Sequence, residues 1–106
     1  MASHPDFVAY VVEQLRETGA VRSRKMFGEY GLFCDGIFFA VICDDQLFVK
    51  LTPQGEATFP DLPKAPPYAG AKDYLLIEDV DDQDLLTTLV RVTCLALQNR
   101  PSKRRR

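Results

Sequence analysis

Apolar residues recur along this chain with two different periods, and the change between them divides it into elements. Over residues 3–18 the spacing is helical: Phe7, Val11 and Leu15 follow at intervals of four, with Val8 and Val12 widening the stripe. Ser3 is the expected N-cap. Pro5 and Asp6 suit the first turn, where a missing N–H costs little and negative charge is favoured, and Gly19 suits the C-cap. From Arg22 onward β-branched and aromatic residues crowd together as far as Leu51, cut by two tight-turn signals, Asp35-Gly36 and Asp44-Asp45. That pattern predicts three antiparallel strands joined by hairpins, over residues 22–35, 37–43 and 47–51.

Gly28 and Gly31 fall inside the first of these strands, where glycine signals a bulge or a close backbone approach. The second strand is apolar at every position. A strand with one buried face would alternate, so this one should be covered on both sides. Thr52 followed by Pro53 opens a short helix through Phe59. Pro60, Pro63, Pro66 and Pro67 then forbid regular structure up to Tyr68, leaving an ordered loop or an irregular edge. Residues 74–78 read as a further strand, with a very short one near Tyr68 before it. Asp81 or Asp82 caps the last helix, whose stripe is Leu85, Leu89, Val92 and Ala96, flanked by Leu86, Val90, Thr93 and Leu97; Pro101 ends it. The order is α-β-β-β-α-β-β-α. It predicts an α+β fold of two layers, an antiparallel sheet with helices mainly on one face.

Length and charge refine this picture. With 106 residues the chain makes one domain, over residues 1–99, followed by a basic tail at 100–106 that is expected to be disordered. The strongest apolar run, Ile37–Cys43, has seven residues, far short of the roughly 18 that a membrane span needs. No secretory signal is expected from the opening Met-Ala-Ser-His-Pro-Asp, and three cysteines without Cys-x-x-Cys spacing suit reduced thiols in the cytoplasm. The net charge of −2 conceals an asymmetry, since residues 1–99 carry eight basic against fifteen acidic side chains, a net of −7. An acidic body does not attract polyphosphate over its folded surface.

Candidate chemistry is sparse. One histidine, His4, sits near the N-terminus, and three scattered cysteines with one histidine match no zinc spacing. No glycine precedes a Lys-Ser or Lys-Thr pair. Gly28-Glu29-Tyr30-Gly31 has the spacing of a backbone-clamping G-x-x-G loop, but it lies in a strand and carries an acid. The acidic run from Glu78 to Asp84 is explained by helix capping. No catalytic residue, metal site, cofactor or small-molecule substrate is therefore expected. What stands out is the aromatic sheet: Phe27, Tyr30, Phe33, Phe38, Phe39 and Phe48 are the candidates for contact with a protein partner, a second copy of the chain included. Nucleic acid is the less favoured partner. It would use Arg22, Arg24 and Lys25 with the tail residues Lys103, Arg104, Arg105 and Arg106.

The run Arg24-Lys25-Met26-Phe27-Gly28-Glu29-Tyr30-Gly31-Leu32-Phe33, then Asp35-Gly36, an apolar strand and Leu47-Phe48-Val49-Lys50, resembles the TfoX (Sxy) N-terminal domain family. The likeness extends more weakly through Tyr68 and Lys72-Asp73-Tyr74 to the final helix. It implies a two-layer fold similar to type III secretion chaperones and a non-enzymatic regulatory role, linked to natural competence through transcriptional co-regulators. Those regulators carry a second, helical domain after this one, which is not expected in a sequence closing at Arg106.

Overall fold

Hairpin turns and alternating faces build the domain outward from a single sheet. The computed structural model describes residues 3–26 and 28–98. In chain order these form α1 (Pro5–Gln14), a 3-10 turn (Arg16–Thr18), β1 (Val21–Met26), β2 (Glu29–Cys34), β3 (Ile37–Cys43), β4 (Gln46–Lys50), α2 (Pro53–Thr58), β5 (Lys64–Ala65), β6 (Tyr74–Ile77) and α3 (Gln83–Gln98). The strands make one six-stranded sheet in the order β1-β2-β3-β4-β6-β5, antiparallel throughout. The fold is α+β, with the helices packed on one face of the sheet.

The predicted first strand is corrected: it is two strands. Met26 pairs with Glu29, so the chain reverses between them, and Gly28 takes the left-handed φ of +83° that a tight hairpin favours. Gly31 marks a close approach. A Cβ there would meet Met26 Sδ at 2.6 Å and Phe38 Cε1 at 3.0 Å, so side chains from both neighbouring strands fill the space above it. The next two turns fall where expected. Asp35 and Gly36 have φ of 51° and 83°, and Asp44 and Asp45 have 53° and 56°. The very short strand expected near Tyr68 lies earlier, at Lys64–Ala65.

A register shift gives β3 its unusual burial. Leu32 pairs with Ala40 but Phe33 pairs with Phe38, leaving Phe39 as an extra residue in the strand. Because of that bulge Phe39 and Ala40, consecutive in sequence, both enter the helix-side core, while Phe38, Val41 and Cys43 face away from the helices. The helix-side core joins Val8, Val11 and Leu15 to Leu32, Phe39, Ile42, Leu47 and Val49, with Leu86, Leu89 and Val90 of α3 above them. All but Val8 of these eleven have no exposed surface. On the opposite face a smaller cluster forms around Val41, Cys43 and Phe48, packed by Phe38, Ala65, Tyr74 and Leu76. The demand that β3 be covered on both sides is thus met by helices on one face and by strand side chains on the other.

Caps and tethers hold the helices in place. Thr52 caps α2 as predicted, its hydroxyl accepting the Gly55 N–H at 3.0 Å. Asp82 caps α3, its carboxylate accepting the Leu85 N–H at 3.1 Å. Gln14 donates to the Val80 carbonyl at 3.0 Å, tying α1 to the segment before α3, and Arg91 donates to the Glu17 carbonyl at 2.9 Å, tying α3 to the 3-10 turn. The N-cap expected at Ser3 is corrected: His4 occupies that position and no side chain caps α1. The Ser3 side chain has another task, described below. Pro101 and the basic tail lie outside the described residues.

Candidate functional site: the outer face of the sheet

Period-two alternation decides which strand residues meet solvent on the face away from the helices. From β1 these are Arg22, Arg24 and Met26, paired across the ladder with Phe33, Gly31 and Glu29 of β2. Phe33 and Phe38 then pair across β2 and β3, their ring centroids 5.2 Å apart and tilted by 38°. The Lys50 ammonium sits 4.6 Å from the Phe38 ring centroid, a cation–π contact that extends the row onto β4.

Beyond this row the face opens into a groove of about 1010 Å³. Met26, Phe38, Val41 and Cys43 line its floor, and the Pro-rich segment reaches it through Pro67 and Tyr68, with Tyr74 beside them. Tyr68 is the most exposed of the large apolar side chains among the described residues, at 62%. Burial raises the Tyr74 phenol above its ordinary pKa, with help from Tyr68 and Cys43, so it stays a neutral hydroxyl at physiological pH. Burial likewise raises the Cys43 thiol, and Glu29 and Asp44 push it the same way. A thiol so shifted is a poor nucleophile. The groove is mainly apolar, with acid at one end, and is suited to contact rather than to reaction.

The acid at that end is already engaged. Glu29 accepts the Ser3 N–H at 3.0 Å and the Asp44 N–H at 2.9 Å, one on each carboxylate oxygen. Burial alone would raise its pKa, but the hydrogen bonds from Asp44 and Ser3 outweigh that and lower it. The Ser3 hydroxyl accepts the Asp45 N–H at 2.9 Å, and the Asp45 carboxylate takes both the His4 N–H at 2.8 Å and its ring Nδ1 at 2.7 Å. Ser3, His4, Glu29 and Asp45 therefore form a latch that fastens the start of the chain to the β3–β4 turn. Sequence reading missed it, because contacts between short polar side chains 41 residues apart leave no periodic signal.

The latch has a pH window. The hydrogen bond to Asp45 raises the His4 pKa above 6.5, so its contribution is complete below that value and is lost as pH rises through the raised pKa. The Asp45 pKa is lowered from 3.8, first by the backbone hydrogen bond from His4, so its contribution is lost only as pH falls through that lowered value. An NMR titration should find His4 titrating above 6.5, and Asp45→Asn should return it towards that value. An unshifted His4 in the native protein would show that the pair does not form.

The predicted contact residues separate on this structure. Phe33 and Phe38 are half-buried on the outer face, as an interaction surface requires. Phe39 is corrected: it has no exposed surface and lies in the helix-side core, because the bulge turns it inward. Phe48 faces outward but is only 4% exposed, roofed by its neighbours. Tyr30 packs against the helix-side core and also contributes to the lining of the groove, with the Lys25 ammonium 5.9 Å from its ring centroid. Phe27 lies outside the described residues, as do Lys103, Arg104, Arg105 and Arg106. Sequence reading did not single out Tyr68, Tyr74 or Met26, which the fold brings to the groove. The proposed basic trio also divides. Arg22 and Arg24 share the outer face, whereas Lys25, one residue on, faces the other way.

The model of the TfoX N-terminal domain matches residues 13–97, which take in every strand described, all of α2 and all but the last residue of α3. The chain belongs to the TfoX N-terminal domain family. It is also 37% identical over 98 residues, covering 92% of this chain and 85% of the other, to an uncharacterized 12.7 kDa protein in the trpE 5′ region of Spirochaeta aurantia. Within this TfoX N-terminal domain the described residues contain no cluster of His, Cys, Asp and Glu that could hold a metal ion. No helix among them is long and apolar enough to cross a membrane.

Proposed function

We propose that this TfoX N-terminal domain is a non-enzymatic, cytoplasmic interaction module with a regulatory role, binding another protein through the outer face of its sheet. The observation that carries this reading is the groove. A domain with a complete helix-side core has no structural need for a second apolar surface, yet one of about 1010 Å³ opens opposite the helices. Exposed apolar surface of that kind marks a contact site more often than a packing defect. The membership supports a regulatory setting, of the sort that competence regulators with this domain occupy. Nucleic-acid binding is less well supported, since Lys25 does not join Arg22 and Arg24 on one face and the body of the domain is acidic.

The test uses Phe38→Ser and Tyr68→Ala, both at the groove and neither in the helix-side core. The immobilised protein should retain at least one partner from an extract of its own cells, or form a dimer seen by sedimentation. Both variants should lose that association while unfolding within about 1 kcal/mol of the wild type. A monomer at every concentration, with the same proteins retained by wild type and variants, would sink the proposal.

A further inference from the structure

The two edges of the sheet are protected in very different ways. β5 is two residues long and stands among Pro63, Pro66 and Pro67, so little free backbone remains there for another strand to join. β1 has six residues, no proline and no bulge, and nothing among the described residues pairs with its outer side. Its ladder parity can be read from the Asp35 N–H, which donates to the Ala20 carbonyl at 3.2 Å. Alternation along the β1–β2 register then turns the backbone groups of Arg22, Arg24 and Met26 towards β2. The N–H and C=O of Ser23 and Lys25 point away from the sheet, available to an added strand.

The charge on this edge selects what can be added. Arg22–Lys25 are all exposed, and neither Arg22 nor Arg24 has an ion pair among the described residues. Both project onto the outer face, flanking a hollow of about 620 Å³ beside Phe33. With Lys25 they make three of the eight basic residues in residues 1–99, concentrated on one strand of an acidic body. A second copy of the chain is a poor occupant. Antiparallel pairing centred on Ser23 would set Arg22 of one copy against Arg24 of the other, and like charges directly opposite are destabilising. A strand carrying carboxylates at alternate positions has the opposite property, because its acids lie beside Arg22 and Arg24 while its backbone meets Ser23.

We propose that β1 is an acceptor edge: an extended acidic segment of another protein adds antiparallel to it as a seventh strand, its alternate carboxylates paired with Arg22 and Arg24. This rests on the reading of the domain as an interaction module, but it uses a different part of the surface from the groove. Backbone hydrogen bonds supply affinity in such an addition, and the alternating side chains supply specificity.

The probe is an end-blocked octapeptide alternating threonine and glutamate, with binding followed by fluorescence anisotropy on the full chain. Arg22→Glu combined with Arg24→Glu should weaken binding by about tenfold or more, and the same variant should bind the threonine–lysine peptide instead. Methylating alternate backbone nitrogens of the probe, so that they cannot donate, should abolish binding without altering the protein. Ser23→Pro, which removes an outward N–H and leaves the β1–β2 ladder intact, should do the same. Phe38→Ser should leave peptide binding unchanged, so failure at the edge and failure at the groove can be told apart. The proposal is overturned by any of four results: no binding of the acidic peptide, equal binding of its methylated form, self-association through β1, or an oligouridylate bound through Arg22 and Arg24 in place of the peptide.

Discussion

Replacing Phe39 by alanine should destabilise the domain by about 3–5 kcal/mol, whereas the same change at its neighbour Phe38 should cost about 1 kcal/mol. Phe39 has no exposed surface and sits among the side chains that join the sheet to the helices. Its removal leaves a cavity with rigid walls, and the loss combines transfer free energy with contacts that cannot re-form. Phe38 is half-buried on the outer face, where solvent and the groove border its ring. A domain of this size has roughly 5–15 kcal/mol of stability in all. Phe39→Ala should therefore remove a large share of it. Urea unfolding of the two variants measures the difference directly. A larger loss at Phe38 than at Phe39 would mean that β3 has no bulge, since a regular strand with Ala40 and Ile42 facing the helices would turn Phe38 inward and Phe39 outward.

Phe48→Ala should cost about 3 kcal/mol, the second largest effect. The expectation is informative because Phe48 faces away from the helices. With 4% exposure it is packed by Val41 and Cys43, with Phe38 and Leu76 around it, as a core residue would be. If the outer face were only a flat platform for partners, removing this ring would hardly change stability. A loss well under 1 kcal/mol by thermal or chemical unfolding would contradict the second cluster. The same measurement separates the two parts of the outer face. Phe48 anchors the sheet, and the groove beside it is the part left for contact.

Much of this architecture was legible because its signals are local. Asp35-Gly36 and Asp44-Asp45 are turn sequences that favour left-handed backbone, and the structure bends at both. Thr52-Pro53 starts a helix where a hydroxyl cap and a missing N–H are both useful. Ile37–Cys43 is apolar throughout because both of its faces are covered. The turn at Gly28 was not legible as a turn. Arg24, Lys25 and Met26 before it and Tyr30 after it are all compatible with one continuous strand, and Phe27-Gly28 lacks the Asn or Asp that announces a hairpin. The bulge at Phe39 was hidden for a different reason. In an unbroken run of apolar residues a slip of one position changes which ring faces inward without changing the pattern. The candidate site suffered from both effects, since face assignment decides which aromatic side chains a partner could touch. The latch and the roles of Tyr68 and Tyr74 depend on contacts between distant segments, for which a single sequence has no period to read.

The three cysteines give this domain a set of internal reporters. Cys34 and Cys94 belong to the helix-side core, and Cys43 to the outer cluster. All three are buried with their pKa values raised by burial, that of Cys94 to about 12, so alkylation must wait for a local opening that exposes each thiol. Their modification rates therefore time the breathing of the two layers separately. A molecule seated in the groove would slow the clock at Cys43 and leave those at Cys34 and Cys94 running as before. A ligand that tightened the whole domain would slow all three together.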